Sequence, residues 1–334
     1  MPHRYESGGM ADRAALIRGI GGTRAARYRR RSPPATRACG YRLGLRIGEA
    51  LYLVDLGYGA CRQLTLAGFG FERLRAGFIT HLHSDHIADL GTLLLYGWYA
   101  GLCEVPRPVR LFGPGPRPSY RNGDTGELPG FTETLGRMLH AYATDIEDRI
   151  IDNARRPPEE VLDSTDIPLP DSLGFDPHTR VAPDMEPLPV YRDEHVEVSA
   201  VLVWHAPMAP AFAFRFDTAH GSVVFSGDTG PCANLVRLAR GADVLVHEVI
   251  DEHWIQRGYG GATHPAAAAM LAHHTTAHTS IPDAGRIAAE SGVHTLVLTH
   301  FVPGHNPQPR WHEAADTFHG RLVVGADLDR IPLH

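Results

Sequence analysis

The feature that most constrains what this chain can fold into is Thr80-His81-Leu82-His83-Ser84-Asp85-His86, which gathers three imidazoles and a carboxylate into six residues. It ends an apolar run, Gly77-Phe78-Ile79-Thr80, that predicts a buried strand. Alternate side chains of an extended chain share a face, so His81 and His83 point the same way and can bind one ion together. The chain must then turn, because Ser84-Asp85 is a helix-start signal and the apolar residues from Ile87 to Leu95 continue at helical spacing. Asp85 and His86 therefore sit at a helix N-terminus, off the line of the first pair. A carboxylate oxygen beside an imidazole nitrogen there suits a second ion, zinc above all. Such groups are costly to gather at a strand end without a charge to bind.

At 334 residues and 43% apolar content the chain can bury a large core as one domain with an insertion. All 32 basic residues are arginine and the formal net charge is −6, so no global positive field advertises nucleic acid or an anionic membrane. The four cysteines, Cys39, Cys61, Cys103 and Cys232, are scattered without a paired motif, which predicts a reduced, cytoplasmic setting. Residues 1–18 carry charges throughout and no long apolar core. They are neither a secretory signal nor a membrane span, and read as a loose N-terminal extension before a folded domain over 19–334.

Gly19-Ile20-Gly21-Gly22-Thr23 opens that domain, and the five arginines between Arg24 and Pro34 read as a solvated loop. Strands are predicted over 41–47 and 51–56, a helix over 61–66, a strand over 74–80, a helix from Asp85 to about Tyr99, and a strand over 109–112. Residues 121–195 depart in composition: 17 acidic residues face 7 arginines, and eight prolines fall between Pro157 and Pro189. That predicts a surface insertion of linkers and helix fragments, with Phe131 to Ile151 its one firm helix, serving as a lid, as decoration or as an oligomer contact. Further on, His205, Asp228, Glu248 and His300 each follow or end an apolar strand pattern, and sheets of α/β type build sites at such strand ends.

His81-Leu82-His83-Ser84-Asp85-His86 matches the His-x-His-x-Asp-His motif of the metallo-β-lactamase superfamily, and the chain resembles that family over about residues 19–326. The resemblance is strongest to the branch holding RNase Z, related phosphodiesterases and arylsulfatase-like hydrolases. It implies a mixed α/β (α+β) fold, the four-layer αββα sandwich, and a homodimer. By match to the family motifs, His81, His83 and His205 would hold one zinc ion, Asp85, His86 and His300 another, with Asp228 bridging; manganese or iron also suits these donors. Two cations sharing a water bring its pKa toward neutrality and make hydroxide available as nucleophile, with Asp85 able to orient it. His278-Thr279-Ser280 resembles the His-Ser-Thr segment of RNase Z with its last two residues exchanged, which makes His278 the candidate proton donor and Glu248 its acidic partner. Among the 21 histidines, His264 is the competing donor, while His273 and His274 read as surface or structural.

The expectation is thus a dinuclear zinc hydrolase of a phosphodiester or related ester such as an aryl sulfate. RNase Z-type tRNA 3′ processing is the alternative; the acidic insertion disfavours RNA and leaves a small-molecule substrate in front. A second alternative is a small ester, thioester or lactone in specialised metabolism. A binding protein that had merely kept the fold would have lost ligands, and all seven are present.

Overall fold

The computed structural model describes residues 14–18, 43–120, 126–261 and 264–333. The Gly19–Thr23 turn, the arginine-rich loop, Cys39 and most of the N-terminal extension lie outside the described residues.

Strands β1 (Ala14–Arg18), β2 (Leu43–Ile47), β3 (Ala50–Val54), β4 (Leu74–Phe78) and β5 (Val109–Gly113) open the fold. A short hairpin follows, β6 (Arg117–Pro118) with β7 (Glu127–Leu128), then β8 (Leu162–Asp166) and β9 (Leu188–Arg192). The rest are β10 (Val196–Leu202), β11 (Phe212–Thr218), β12 (Gly221–Phe225), β13 (Val244–Ile250), β14 (Thr295–Val302), β15 (Arg321–Val324) and β16 (Arg330–Pro332). Two seven-stranded sheets result, in the orders β16-β1-β2-β3-β4-β5-β8 and β15-β14-β13-β12-β11-β10-β9. In each, one half pairs antiparallel and the other, from β3 to β8 and from β12 to β15, pairs parallel.

Side-chain alternation assigns the layers. On β3, Tyr52 and Val54 enter the core between the sheets, while Leu51 and Leu53 face a second core under the helices. Phe78 and Phe112 follow the first pattern, Leu74 and Leu111 the second. The helices Ala60–Leu66 and Phe131–Ala141 cover one sheet, and Ala233–Ala239 and Ile281–Ser291 the other. This is a four-layer αββα sandwich. Between the sheets Phe78 stacks on Phe112 with centroids 5.3 Å apart and meets Phe216 edge-on at 5.1 Å.

Four expectations need correction. Ala14–Arg18, placed in the loose extension, pairs with both β2 and β16. The helix expected from Asp85 to about Tyr99 is interrupted by a turn at 88–89, which separates Ser84–Ile87 from a helical run over 90–99 carrying a π-helical turn at Leu93–Gly97. The 121–195 segment, expected as linkers and helix fragments, also supplies sheet strands: β8 extends the first sheet from β5, β9 extends the second from β10, and Phe131 and Val161 are fully buried. Its helix also divides at Tyr142 into Phe131–Ala141 and Ala143–Asn153. Composition hid this, because an edge strand needs only one apolar face and a neighbour to pair with.

One polar device ties the sheets together. Asp193 accepts hydrogen bonds from the Tyr52 hydroxyl of the first sheet at 2.7 Å and the Tyr191 hydroxyl of the second at 2.8 Å, and from the His195 and Val196 amides. Burial alone would raise the Asp193 pKa, but these donors outweigh it and hold it below the usual carboxylate value. Asp193→Ala, which leaves the buried Tyr52 hydroxyl without its acceptor, is expected to cost on the order of 3 kcal/mol in chemical denaturation. Because the folded pKa is depressed, the wild-type contribution is full above the unfolded carboxylate pKa of about 3.9 and is lost as pH falls through the folded value. A mutant whose stability parallels wild type across that range would contradict this.

Candidate metal centre

The first half of the site is built where β3 and β4 end. Asp55, at φ 61°, follows β3 and is 1% exposed. Its carboxylate accepts from the Thr80 amide at 2.7 Å, the Thr80 hydroxyl at 2.8 Å and His86 Nδ1 at 2.8 Å. Burial pushes the Asp55 carboxyl up, and the His86 charge and these bonds oppose it. The Thr80 hydroxyl oxygen is 3.0 Å from His81 Nδ1. Asp55 thereby sets two histidine rings, one directly and one through Thr80, and leaves the Nε2 of each facing the cleft.

The second half comes from the other sheet. His205 follows β10, and its Nδ1 donates to the Ala277 carbonyl at 2.8 Å. Asp228 follows β12 through Gly227, at φ 60°, where an added Cβ would meet the Phe212 carbonyl oxygen at 2.7 Å and the Thr80 side chain at 3.0 Å. Only glycine lets that turn close against the histidine loop. His300 lies within β14 rather than beyond it, and the pairing with β13 slips there: Glu248 opposes Thr299 and Val249 opposes Phe301. His300 is the bulged residue, with φ 43°. A bulge re-aims a side chain that the pleat would otherwise commit to one face.

These elements bring all seven expected ligand positions together. His81, His83 and His205 form one group with donor atoms within 4.8 Å of one another; Asp85, His86 and His300 form another; Asp228 joins His81 and His86 in a third. His83 Nδ1 is 2.9 Å from His81 Nε2 and 3.2 Å from His205 Nε2. That is close to the roughly 3.3 Å separating two nitrogens that each lie about 2.0–2.1 Å from a tetrahedral ion. Asp228 reaches 3.4 Å from His86 Nε2 and 3.6 Å from His300 Nδ1, and its buried Oδ1 has no hydrogen-bond partner.

Electrostatics divides the set. Burial lowers the pKa of His81 and His83, and takes His205 to about 3, so these rings are neutral and ligand-competent. Burial acts the same way on His86 and His300, but Asp228 outweighs it, helped by Asp55 at His86 and Asp85 at His300, and both rise. Protons there do the neutralising that a cation would do. The residues fit a pair of metal ions.

His278 lies beside this group, 6% exposed, with Nδ1 3.0 Å from Glu248 Oε1. The same oxygen accepts the Thr229 amide at 3.0 Å. Burial would lower the His278 pKa, but Glu248 reverses the sign and raises it to about 9. The exchanged Thr279-Ser280 order is accommodated, since Ser280 caps the next helix on Asp283 while the Thr279 hydroxyl donates to the Thr229 carbonyl. His264 does not compete: it is exposed and caps the N-terminus of the Pro265–Thr276 helix on the Ala266 amide. His273 was passed over and reaches the site, its ring 5.7 Å from His205 and 5.2 Å from His278; His274 stands 5.7 Å from His278. The signal available was their position one turn before His278 in an otherwise alanine-rich helix.

Fold and site together define a hydrolase whose clustered histidines and carboxylates are able to hold metal ions. Residues 45–300 match the model of the metallo-β-lactamase superfamily; the chain belongs to that family. Ribonuclease Z of Mycobacterium marinum is 34% identical over 296 residues, covering 87% of this chain and 91% of the relative. Ribonuclease Z of Mycolicibacterium paratuberculosis is 33% identical over 290 residues, with 86% and 89% covered. The crystal structure of human tRNase Z, short form, shares the fold at a TM-score of 0.60 and 20% identity, covering 96% of this chain and 99% of that one. The Bacillus subtilis metallo-β-lactamase fold protein YhfI does so at 0.58 and 19%, covering 96% and 100%.

Two outcomes test the fit. Asp55→Ala, which touches no proposed ion, should weaken zinc affinity about 10–100-fold in a chelator competition. Zinc added to metal-free protein near pH 7 in weak buffer should release protons, because His86 and His300 must lose theirs to ligate. Binding without acidification would refute the proposed ligand roles.

Proposed function

We propose that the chain hydrolyses phosphodiester bonds in RNA as an RNase Z-type tRNA 3′ endonuclease of the cytoplasm, using two zinc ions. The observation that carries this reading is the buried His278–Glu248 pair beside the seven-residue cluster. A nitrophenol or an activated ester leaves without help, whereas a ribose alkoxide needs a proton, and the pair is built to deliver one. The two relatives, which are Ribonuclease Z by name, support RNA over the aryl sulfate and small-ester readings.

His81, His83 and His205 would hold one ion, Asp85, His86 and His300 the other, and Asp228 would lie between them. The ions would supply an acidified water as nucleophile and positive charge for the phosphoryl oxygens. Asp85 would accept a hydrogen bond from the attacking water and orient it toward phosphorus. As the new P–O bond forms and the bond to the ribose oxygen breaks, His278 gives its proton to the departing oxygen. Glu248 keeps the imidazole in its donor orientation and stabilises its charge. The acidic 121–195 segment argued against a polyanion, but part of it pairs into the sheet edges as β8 and β9, and the bound ions would set the charge that RNA meets at the strand ends.

The test sets a 3′-extended tRNA transcript beside bis(p-nitrophenyl) phosphate, with zinc-loaded protein. Both should be cleaved, and Asp85→Ala should abolish both. His278→Ala should slow RNA cleavage about 10²–10⁴-fold and spare the nitrophenyl ester. Because His278 is an acid with a raised pKa, RNA cleavage should fall as pH rises toward about 9, and bound cations would move that limb lower. Cleavage of the diester without the tRNA would return a small phosphodiester to first place. If neither is cleaved with ions bound, esters, thioesters and lactones come first.

A further inference from the structure

Next to the seven ligand positions stands a second group of nitrogen donors. His273, His274 and His278 each place one candidate ligand atom within 4.8 Å of those of the other two. His273 and His274 occupy the last turn of the Pro265–Thr276 helix, and His278 follows just beyond its end. His274 lies in that last turn and His278 just past the Ala277 C-cap, so the chain leaving the helix brings the third ring back beside the other two.

Two of the rings are held from behind, as ligating histidines generally are. His278 Nδ1 donates to Glu248, and His273 hydrogen-bonds the backbone of Ala206. On the third ring, Nδ1 of His274 is buried and has no hydrogen-bond partner. A polar atom stripped of water and left unpaired costs free energy, and a cation would recover it. Burial takes the His274 pKa down to about 4 and also lowers that of His273, each with repulsion from His278 adding, so both rings are neutral at pH 7. The carboxylates nearest His278 are Glu248 at 3.0 Å and Asp228 at 3.9 Å, negative charges that attract a metal ion.

We propose that His273, His274 and His278 form a further divalent-cation site of zinc type, adjoining the dinuclear centre. Three imidazoles and an open position make the donor set of an accessible zinc site. An ion there also fastens the end of a helix that has no buried residue of its own. The site shares one ring with the reaction proposed above. With Nδ1 committed to Glu248, Nε2 of His278 either carries the proton for the leaving group or ligates the ion. Zinc beyond the dinuclear complement would therefore act as a brake on cleavage. The brake rests on the reading of His278 as the acid; the site does not.

Zinc binding by the full chain in equilibrium dialysis, with metal content measured by elemental analysis, tests the site in wild type, His273→Gln and His274→Gln. Wild type should take up one zinc ion per chain more than either variant at saturation. Equal uptake by all three overturns the site. If one variant melts well below wild type, the other carries the comparison. For the brake, excess zinc should slow tRNA cleavage several-fold, spare bis(p-nitrophenyl) phosphate, and lose its effect in His274→Gln. Equal inhibition of both substrates overturns the brake. Should no diester be cleaved at all, the RNA reading fails, and the zinc count still decides the site.

Discussion

The buried carboxylate of Asp55 is the point on which the architecture of the site depends. It sits where β3 gives out, takes a left-handed backbone, and accepts three hydrogen bonds from Thr80 and His86. The adjoining backbone is stitched to the same loop, with the Asp55 amide donating to Phe78 and the Leu56 amide to His86. A full charge in the interior survives only when its lone pairs are filled, and the histidine loop fills them. These bonds stiffen the loop.

That rigidity crosses between the sheets. The Phe212 amide donates to the Thr80 carbonyl, and Gly227 packs against the Thr80 side chain. His205, Asp228 and His300 therefore arrive from the second sheet at fixed positions relative to the first. The aromatic core around Phe78 and the Asp193 bridge hold the sheets in the register this requires. A donor set assembled from two sheets loses its geometry if either slides, so packing far from the cleft helps to hold that geometry.

Within the cleft the chemistry is graded. One group of rings is buried and neutral; the next is held positive by carboxylates; beyond both, His278 is kept protonated by Glu248. Three environments thus act differently on one residue type. His273 and His274 extend the series outward as neutral rings on a helix whose other positions face solvent or are half-buried.

Much of this was written locally. The histidine motif, the strand that delivers it, the strand ends carrying His205, Asp228 and Glu248, and the His278 segment are short-range patterns that survive in any context preserving the fold. The αββα sandwich followed from the family resemblance those motifs carry. Tertiary structure decided what local pattern cannot express. The acidic, proline-rich 121–195 segment supplies two edge strands because β5 and β10 offer open edges, a fact that lies outside its own composition. Among histidines alike in spacing, His264 was turned outward to cap a helix and His273 inward to the cleft, since helix phase and docking angle choose the face. His300 stays inside its strand and is aimed by a bulge, because strand register is set by the neighbour on which it lies.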